Sequence, residues 1–170
     1  MGLWELFTGK KYPAKGAVHQ SVDTLRNALL SINQESAPFF IRDGAAEGVD
    51  LVAEWKIVDA RWYEFFAKAG IKRLFKVLMR FDEQKGEVRS VDQEWSVEWR
   101  AGIPTIALVA SAFRGQTAEK SFEKSYGFRE DGSFGLIYDY AFDTAAIKTP
   151  LQKTTLEAGW IWRSVAFAKL

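Results

Sequence analysis

The carboxylates are the groups in this chain that could do acid–base chemistry, because the other usual agents are missing. The 170 residues include no Cys and a single His, His19. Thiolate nucleophiles, disulfides and Cys-based zinc or iron–sulfur sites are therefore excluded. His19 stands between Val18 and Gln20, without the partners of a Ser-His-Asp relay or a metal-ligand spacing, so a capping or surface role is expected. With no Cys and one His no metal is expected, and no cofactor is expected, since no phosphate-cradling glycine motif occurs. The acidic side chains Asp43, Glu47, Asp50, Glu54 and Asp59 crowd one stretch. A small hydrolase or isomerase built from them would use Asp43, Glu54 or Asp59, with Arg42 or Arg100 as electrostatic partner. Glu94 and Glu98 share a strand face. Side chains two apart on a strand are about 7 Å apart, so this pair is separated by about twice that. A glycosidase pair needs roughly 5–10 Å. The plainer reading is a solvated sheet face with ion pairs to Lys56, Lys76 or Arg80.

Binding chemistry, by contrast, has ample material. Seven Trp, thirteen Phe and five Tyr are present, and several fall in segments that alternate apolar with polar residues. Trp55, Trp95, Trp99 and Tyr138 are the candidates to line an aromatic, concave site for a small molecule or a protein partner. Core packing competes with that role at each position. A net charge of +1 gives no general field for nucleic acid, and the mixed-sign polar faces do not favour it as a partner. The N-terminal segment offers another contact. Trp4 and Phe7, followed by Lys10 and Lys11, have the composition of a peripheral membrane or partner contact. No apolar run approaches the roughly 20 residues of a membrane-spanning helix. No signal segment is evident, and a cysteine-free chain suits the reducing cytoplasm.

The elements that must position these residues follow from periodicity. Ser21 caps a helix whose apolar stripe is Val22, Leu25, Ala28, Leu29 and Ile32. An extended run over 39–42 precedes the turn at Asp43-Gly44. Residues 50–57 alternate, with Leu51, Ala53, Trp55 and Ile57 opposite Glu54 and Lys56. Asp59 caps a second helix over 60–69, with Trp62, Phe65, Phe66 and Ala69 buried and Gly70 closing it. A long hairpin follows. Phe75, Val77, Met79 and Phe81 share one face of its first arm. On the return arm Val91, Trp95, Val97 and Trp99 are in phase, whereas Val88 is not, which predicts a bulge near Ser90. This phase also predicts buried Trp95 and Trp99 with Glu94 and Glu98 in solvent.

Residues 103–110 make another strand, with Pro104 near its start where proline is tolerated. A further hairpin has Phe122, Tyr126 and Phe128 on one arm, Glu130 to Ser133 as turn, and Leu136 to Phe142 on the other. Thr149, Pro150 and Gln152 resemble the N-cap, first and third positions of a third helix that Gly159 ends. The helix is too polar to be enclosed on all sides. Trp160 to Phe167 then reads as a last strand.

These readings give an α+β fold: a curved, mainly antiparallel sheet of about eight or nine strands, with barrel closure an option and three helices packed on it. Residues 1–170 form a single domain, with 1–20 a loosely attached arm. The expected function is a non-catalytic ligand-binding or interaction domain. The carboxylate hydrolase or isomerase and the membrane-surface adaptor are the alternatives.

Overall fold

The computed structural model describes residues 9–57, 59–68, 70–109, 122–123, 126–128, 134–136, 140–141, 144–165 and 170. Its centre is β5, Glu87–Arg100, a strand long enough to serve different neighbours along its two edges. One edge carries β4, Arg73–Asp82, in an unbroken antiparallel register from Arg73↔Ser96 to Asp82↔Glu87. The other edge is shared. β11, Ile161–Ser164, runs parallel to β5 beside residues 87–90, and β6, Ile103–Leu108, runs antiparallel beside residues 95–100. β3, Leu51–Trp55, and β2, Phe39–Asp43, continue the sheet beyond β4. β1, Lys10–Lys11, pairs with β11 at the opposite end. The seven-stranded order is β1-β11-β5-β4-β3-β2, with β6 joined to β5.

The fold is thus α+β as expected, but among the described residues the sheet is mixed and does not close. The parallel β5–β11 pair follows from the long connection that contains a helix, since parallel neighbours cannot be joined by a tight hairpin. The expected hairpin around 122–142 is present in its described residues as two nested antiparallel pairs of its arms, β7, Phe122–Glu123, with β10, Tyr140–Ala141, and β8, Tyr126–Phe128, with β9, Phe134–Leu136. The turn residues Glu130 to Ser133 lie outside the described residues. The described part of the expected loose arm is held at β1, by the Gln20 amide on the Ala158 carbonyl, and by His19, whose ring stacks on Trp160 at 4.5 Å.

Three α-helices pack with the sheet. α1, Val22–Leu30, is capped by Ser21, whose hydroxyl accepts the Thr24 amide at 3.2 Å, and buries Leu25 and Leu29. The segment after Asp59 starts as a 3₁₀ turn, Ala60–Trp62, and becomes α2, Tyr63–Lys68. Asp59 Oδ1 accepts the Arg61 amide, and Gly70, at φ 65°, closes the helix while the Ile71 amide reaches back to the Phe66 carbonyl. Trp62 and Phe66 are buried; the side chains of Phe65 and Ala69 are not among those described.

α3 corrects one expectation. It covers Thr144–Glu157, so it does not begin at Thr149, and Pro150 lies inside it. An internal proline removes a helix hydrogen bond and crowds the preceding turn, at a cost of about 3 kcal/mol. Burial of Ile147, ahead of Pro150, and of Leu151 after it works against that cost. The buried stripe continues through Leu151, Thr155 and Ala158, while Lys153 and Glu157 remain exposed.

The main apolar cluster joins this stripe and α1 to Phe39, Ile41, Trp55, Phe75, Val77, Met79, Val88, Trp160 and Trp162. A second cluster, Val52, Leu78, Val91 and Val165, lies on the opposite face. The phase change between Val88 and Val97 therefore has a simpler cause than a bulge. Residues 87–93 are covered on both faces apart from half-buried Arg89, whereas at the 95–100 end Glu98 and Arg100 are exposed. Trp95 and Trp99 are half-buried, not buried, and so is Glu94, which pairs with Arg73 at 3.0 Å; Glu98 is exposed as expected.

β5 enters β6 through a turn that periodicity does not reveal. Ala101, at φ 50°, and Gly102, at φ 76°, are both left-handed, as a two-residue type I′ hairpin requires. Alanine pays a steric penalty there that Asn or Gly avoids. Ala101→Asn should stabilise the protein by about 1 kcal/mol, measured by denaturant melts.

Candidate functional site

Cross-strand register makes a ladder of apolar pairs at the β5–β6 end. Trp95 faces Leu108, Val97 faces Ile106 and Trp99 faces Pro104. The rungs alternate with Ser96–Ala107, Glu98–Thr105 and Arg100–Ile103 on the other side. Both indoles are fixed by their ring N–H groups. Trp99 Nε1 donates to the Ile71 carbonyl at 2.7 Å, and Trp95 Nε1 donates to Gln93 Oε1 at 3.0 Å. Leu108 closes the first rung with 44% of its surface exposed. Such pairs stabilise the hairpin, and their solvent-facing rims offer apolar contact to a partner.

A charged network borders this ladder. Lys76 Nζ lies 4.5 Å from the Trp95 ring centroid and 2.8 Å from Glu54 Oε2. Glu54 also accepts from Arg42 Nε at 3.2 Å and Nη2 at 3.1 Å, and Arg42 Nη1 donates to Glu47 at 3.0 Å. The Glu47 hydrogen bond is the largest influence on Arg42, whose pKa is raised further above its ordinary value. The same bond, seen from the other side, lowers that of Glu47.

The other sequence candidates are dispersed. Trp55 is buried, edge-on to Phe39, Phe66 and Phe75 at 6.2–6.4 Å. Trp95 pairs with Leu74, the neighbour of Phe75 along β4, so the two tryptophans extend from opposite faces of the sheet. Tyr138, Trp4 and Phe7 lie outside the described residues. Lys10 Nζ approaches Glu87 at 3.9 Å, and Lys11 Nζ donates to Gln152 Oε1 at 2.8 Å. Asp43 pairs with Arg26 and accepts the Ala45 amide at 2.8 Å; that amide is the first cause of its lowered pKa. Asp59 is likewise lowered, first by its hydrogen bond with Arg61. Arg100 sits 3.7 Å from Glu98, both exposed. The candidate carboxylates therefore serve separate arginines rather than one cleft. Among the described residues, no three His, Asp or Glu side chains are grouped as a metal site, and no helix is long and apolar enough to cross a membrane.

Sequence reasoning missed two groups of buried charge. Asp92 on β5 pairs with Lys148 on α3, both nearly enclosed. The residues are 56 positions apart, and nothing local in either segment signals the pairing. On the opposite sheet face Glu87 is buried, with Oε1 2.9 Å from Arg89 Nε and 3.1 Å from Arg163 Nη1. Alternating charges at 87 and 89 hinted at this cluster. Among the described residues, Ser90 Oγ, Thr155 Oγ1 and Trp162 Nε1 are buried without a hydrogen-bond partner.

Burial alone would raise the Glu87 pKa, but the bonds from Arg89 and Arg163 outweigh it, so the group lies below 4.5. A depressed folded-state pKa contributes stability above the unfolded value, and that contribution disappears as pH falls through the folded value. The stability gap between the native chain and Glu87→Gln should thus be widest near neutrality and shrink once pH drops below 4.5, read from urea melts at stepped pH. A gap independent of pH would contradict the assignment.

No family model, curated protein or solved structure matches this chain.

Proposed function

We propose that this chain is a non-catalytic binding or interaction domain and that the Trp95–Trp99 ladder is its working surface. The observation that carries the reading is that two half-buried indoles, each held by its ring N–H, stand on one ladder, Trp95 opposite the 44% exposed Leu108 and Trp99 opposite Pro104. Fixed aromatic groups at a water boundary give contact area with little ordering cost. The partner is a small molecule or protein segment with an apolar face. Lys76 beside the ladder would favour a partial negative charge at its rim, and its pair with Glu54, which Arg42 shares from β2, offsets part of that charge. The hydrolase or isomerase reading is weakened because Asp43 and Asp59 are held ionised by their partners, which suits neither for donating a proton near neutral pH. The setting proposed is the cytoplasm, on the absence of cysteine.

The test is a titration of intrinsic Trp emission with a small-molecule library in one arm and phosphatidylserine vesicles in the other. A library response is expected. It should be lost when Trp95→Phe and Trp99→Phe are combined in a chain that still melts cooperatively, and kept when residues 1–8 are removed. That cut leaves β1 in place, whereas a longer deletion would take away Lys10 and Lys11 and their bonds to β11 and α3. A salt-sensitive vesicle response that vanishes with residues 1–8 would replace this reading with the membrane adaptor.

A further inference from the structure

We propose that this chain forms a two-fold dimer by pairing the outer edge of β6 with the β6 of a second copy, with Ile106 on the axis. This goes beyond the ladder's own binding role, because it uses the strand's backbone rather than the indoles. The Val109 amide donates to the Glu94 carbonyl at 3.1 Å. With the β5–β6 register, that bond fixes the parity of the whole strand. Ile103, Thr105 and Ala107 turn their backbone groups toward β5, and Pro104, Ile106 and Leu108 turn theirs outward. Pro104 therefore sits where its missing amide costs the β5 ladder nothing. Among the described residues β6 pairs with no strand other than β5; of the three residues that turn outward, Leu108 is 44% exposed and Pro104 and Ile106 are half-buried, Ile106 against the main apolar cluster.

An open edge is a template for another strand, and proteins commonly guard it with charges, bulges or proline. Ile103–Leu108 contains no charged residue, and Pro104 is its one guard. The absence of charge is what points to a second copy. A two-fold antiparallel pair sets the residue on its axis against itself, so a charge there would meet its like. Centring on Ile106 opposes Ile106 with the second copy's Ile106, and Leu108 with the second copy's Pro104. The Ile106 amides and carbonyls bond reciprocally. Each Leu108 amide meets a Pro104 carbonyl, so the prolines remove only the return bonds. The same register lengthens the apolar ladder into rows running Trp95, Leu108, Pro104, Trp99 and Val97, Ile106, Ile106, Val97 across the two copies.

The test is sedimentation equilibrium of the intact chain and four variants, with circular dichroism and urea melts establishing that each folds. The intact chain should show a reversible monomer–dimer equilibrium. Ile106→Lys and Ile106→Glu should each weaken association at least about tenfold, and mixing the two should restore it, because unlike charges then meet on the axis. Pro104→Ala should tighten the dimer by returning two symmetric amides. If Ile106→Lys does not fold, Leu108→Pro takes its place, since it removes outward amides alone and should also weaken the dimer. A chain monomeric up to millimolar concentration, association indifferent to these substitutions, or a mixture that fails to restore it would overturn the proposal, including the case in which a foreign peptide binds the monomer instead. Trp95→Phe with Trp99→Phe should leave the dimer intact, which separates failure of this proposal from failure of the ladder as a binding surface.

Discussion

Lys148→Met should destabilise the protein by about 3–5 kcal/mol, because it takes the Lys148 countercharge away from a buried Asp92 carboxylate. Both side chains are nearly enclosed between α3 and β5. An ion pair in such a place contributes little net stability when formed, since desolvation offsets attraction, but an unpaired charge there is costly. The double replacement Lys148→Met with Asp92→Leu should therefore recover most of the loss, leaving the pair with a large coupling energy in a double-mutant cycle. Urea denaturation of the four chains checks this. A double variant as unstable as the worse single one would mean that the pair itself, rather than relief from a lost countercharge, decides the stability.

Gly159→Ala should be at least as damaging, at about 3 kcal/mol or more, for two reasons that add. Gly159 sits at φ 75°, where a side chain is strained, and an added Cβ would lie 2.4 Å from the Val18 carbonyl oxygen and 2.8 Å from His19 Cα. Those atoms belong to backbone and cannot swing aside. Gly48, at φ 71° with nothing within 4 Å of the Cβ that alanine would add, isolates the conformational part. Gly48→Ala should cost about 1 kcal/mol, since only the left-handed penalty remains. Thermal melts of the two variants should differ widely; equal losses would show that the approach of Val18 to Gly159 is not tight in solution.

These two sites also mark what the amino-acid order reveals and what it hides. Gly159 is readable as a helix terminus, because a left-handed exit is a local requirement. Its clash partners are not, because they come from the other end of the chain. Ser21 and Asp59 are readable as caps for the same reason that Gly159 is. The alternation in β3 and β4 places Glu54 and Lys76 on the face opposite Trp55 and Phe75, where they form their ion pair. Periodicity fails in β5, where charged and apolar residues are buried on both faces and the pattern loses its two-sided contrast. It fails again at Pro150, where a strong local helix-start signal is overridden by burial of the apolar Ile147 ahead of it. Of the candidate site, Trp95 and Trp99 are legible as one phase of one strand. Their partners Leu108, Ile106 and Pro104 become visible only with the register of β6, and Asp92–Lys148 only with the packing of α3.

The position of β11 has a consequence for the timing of folding. β2 to β5 are antiparallel neighbours in chain order, so most of the sheet can assemble from residues already synthesised. β1 cannot join it then. Its partner β11 lies between it and β5, and the contact of His19 with Gly159 spans 140 residues. β1 thus leaves the ribosome long before its partner β11, and the edge of β5 beside Glu87 and Val88 waits for β11 in the meantime. For a nascent chain, this interval is the period of greatest exposure to mispairing and to chaperone capture.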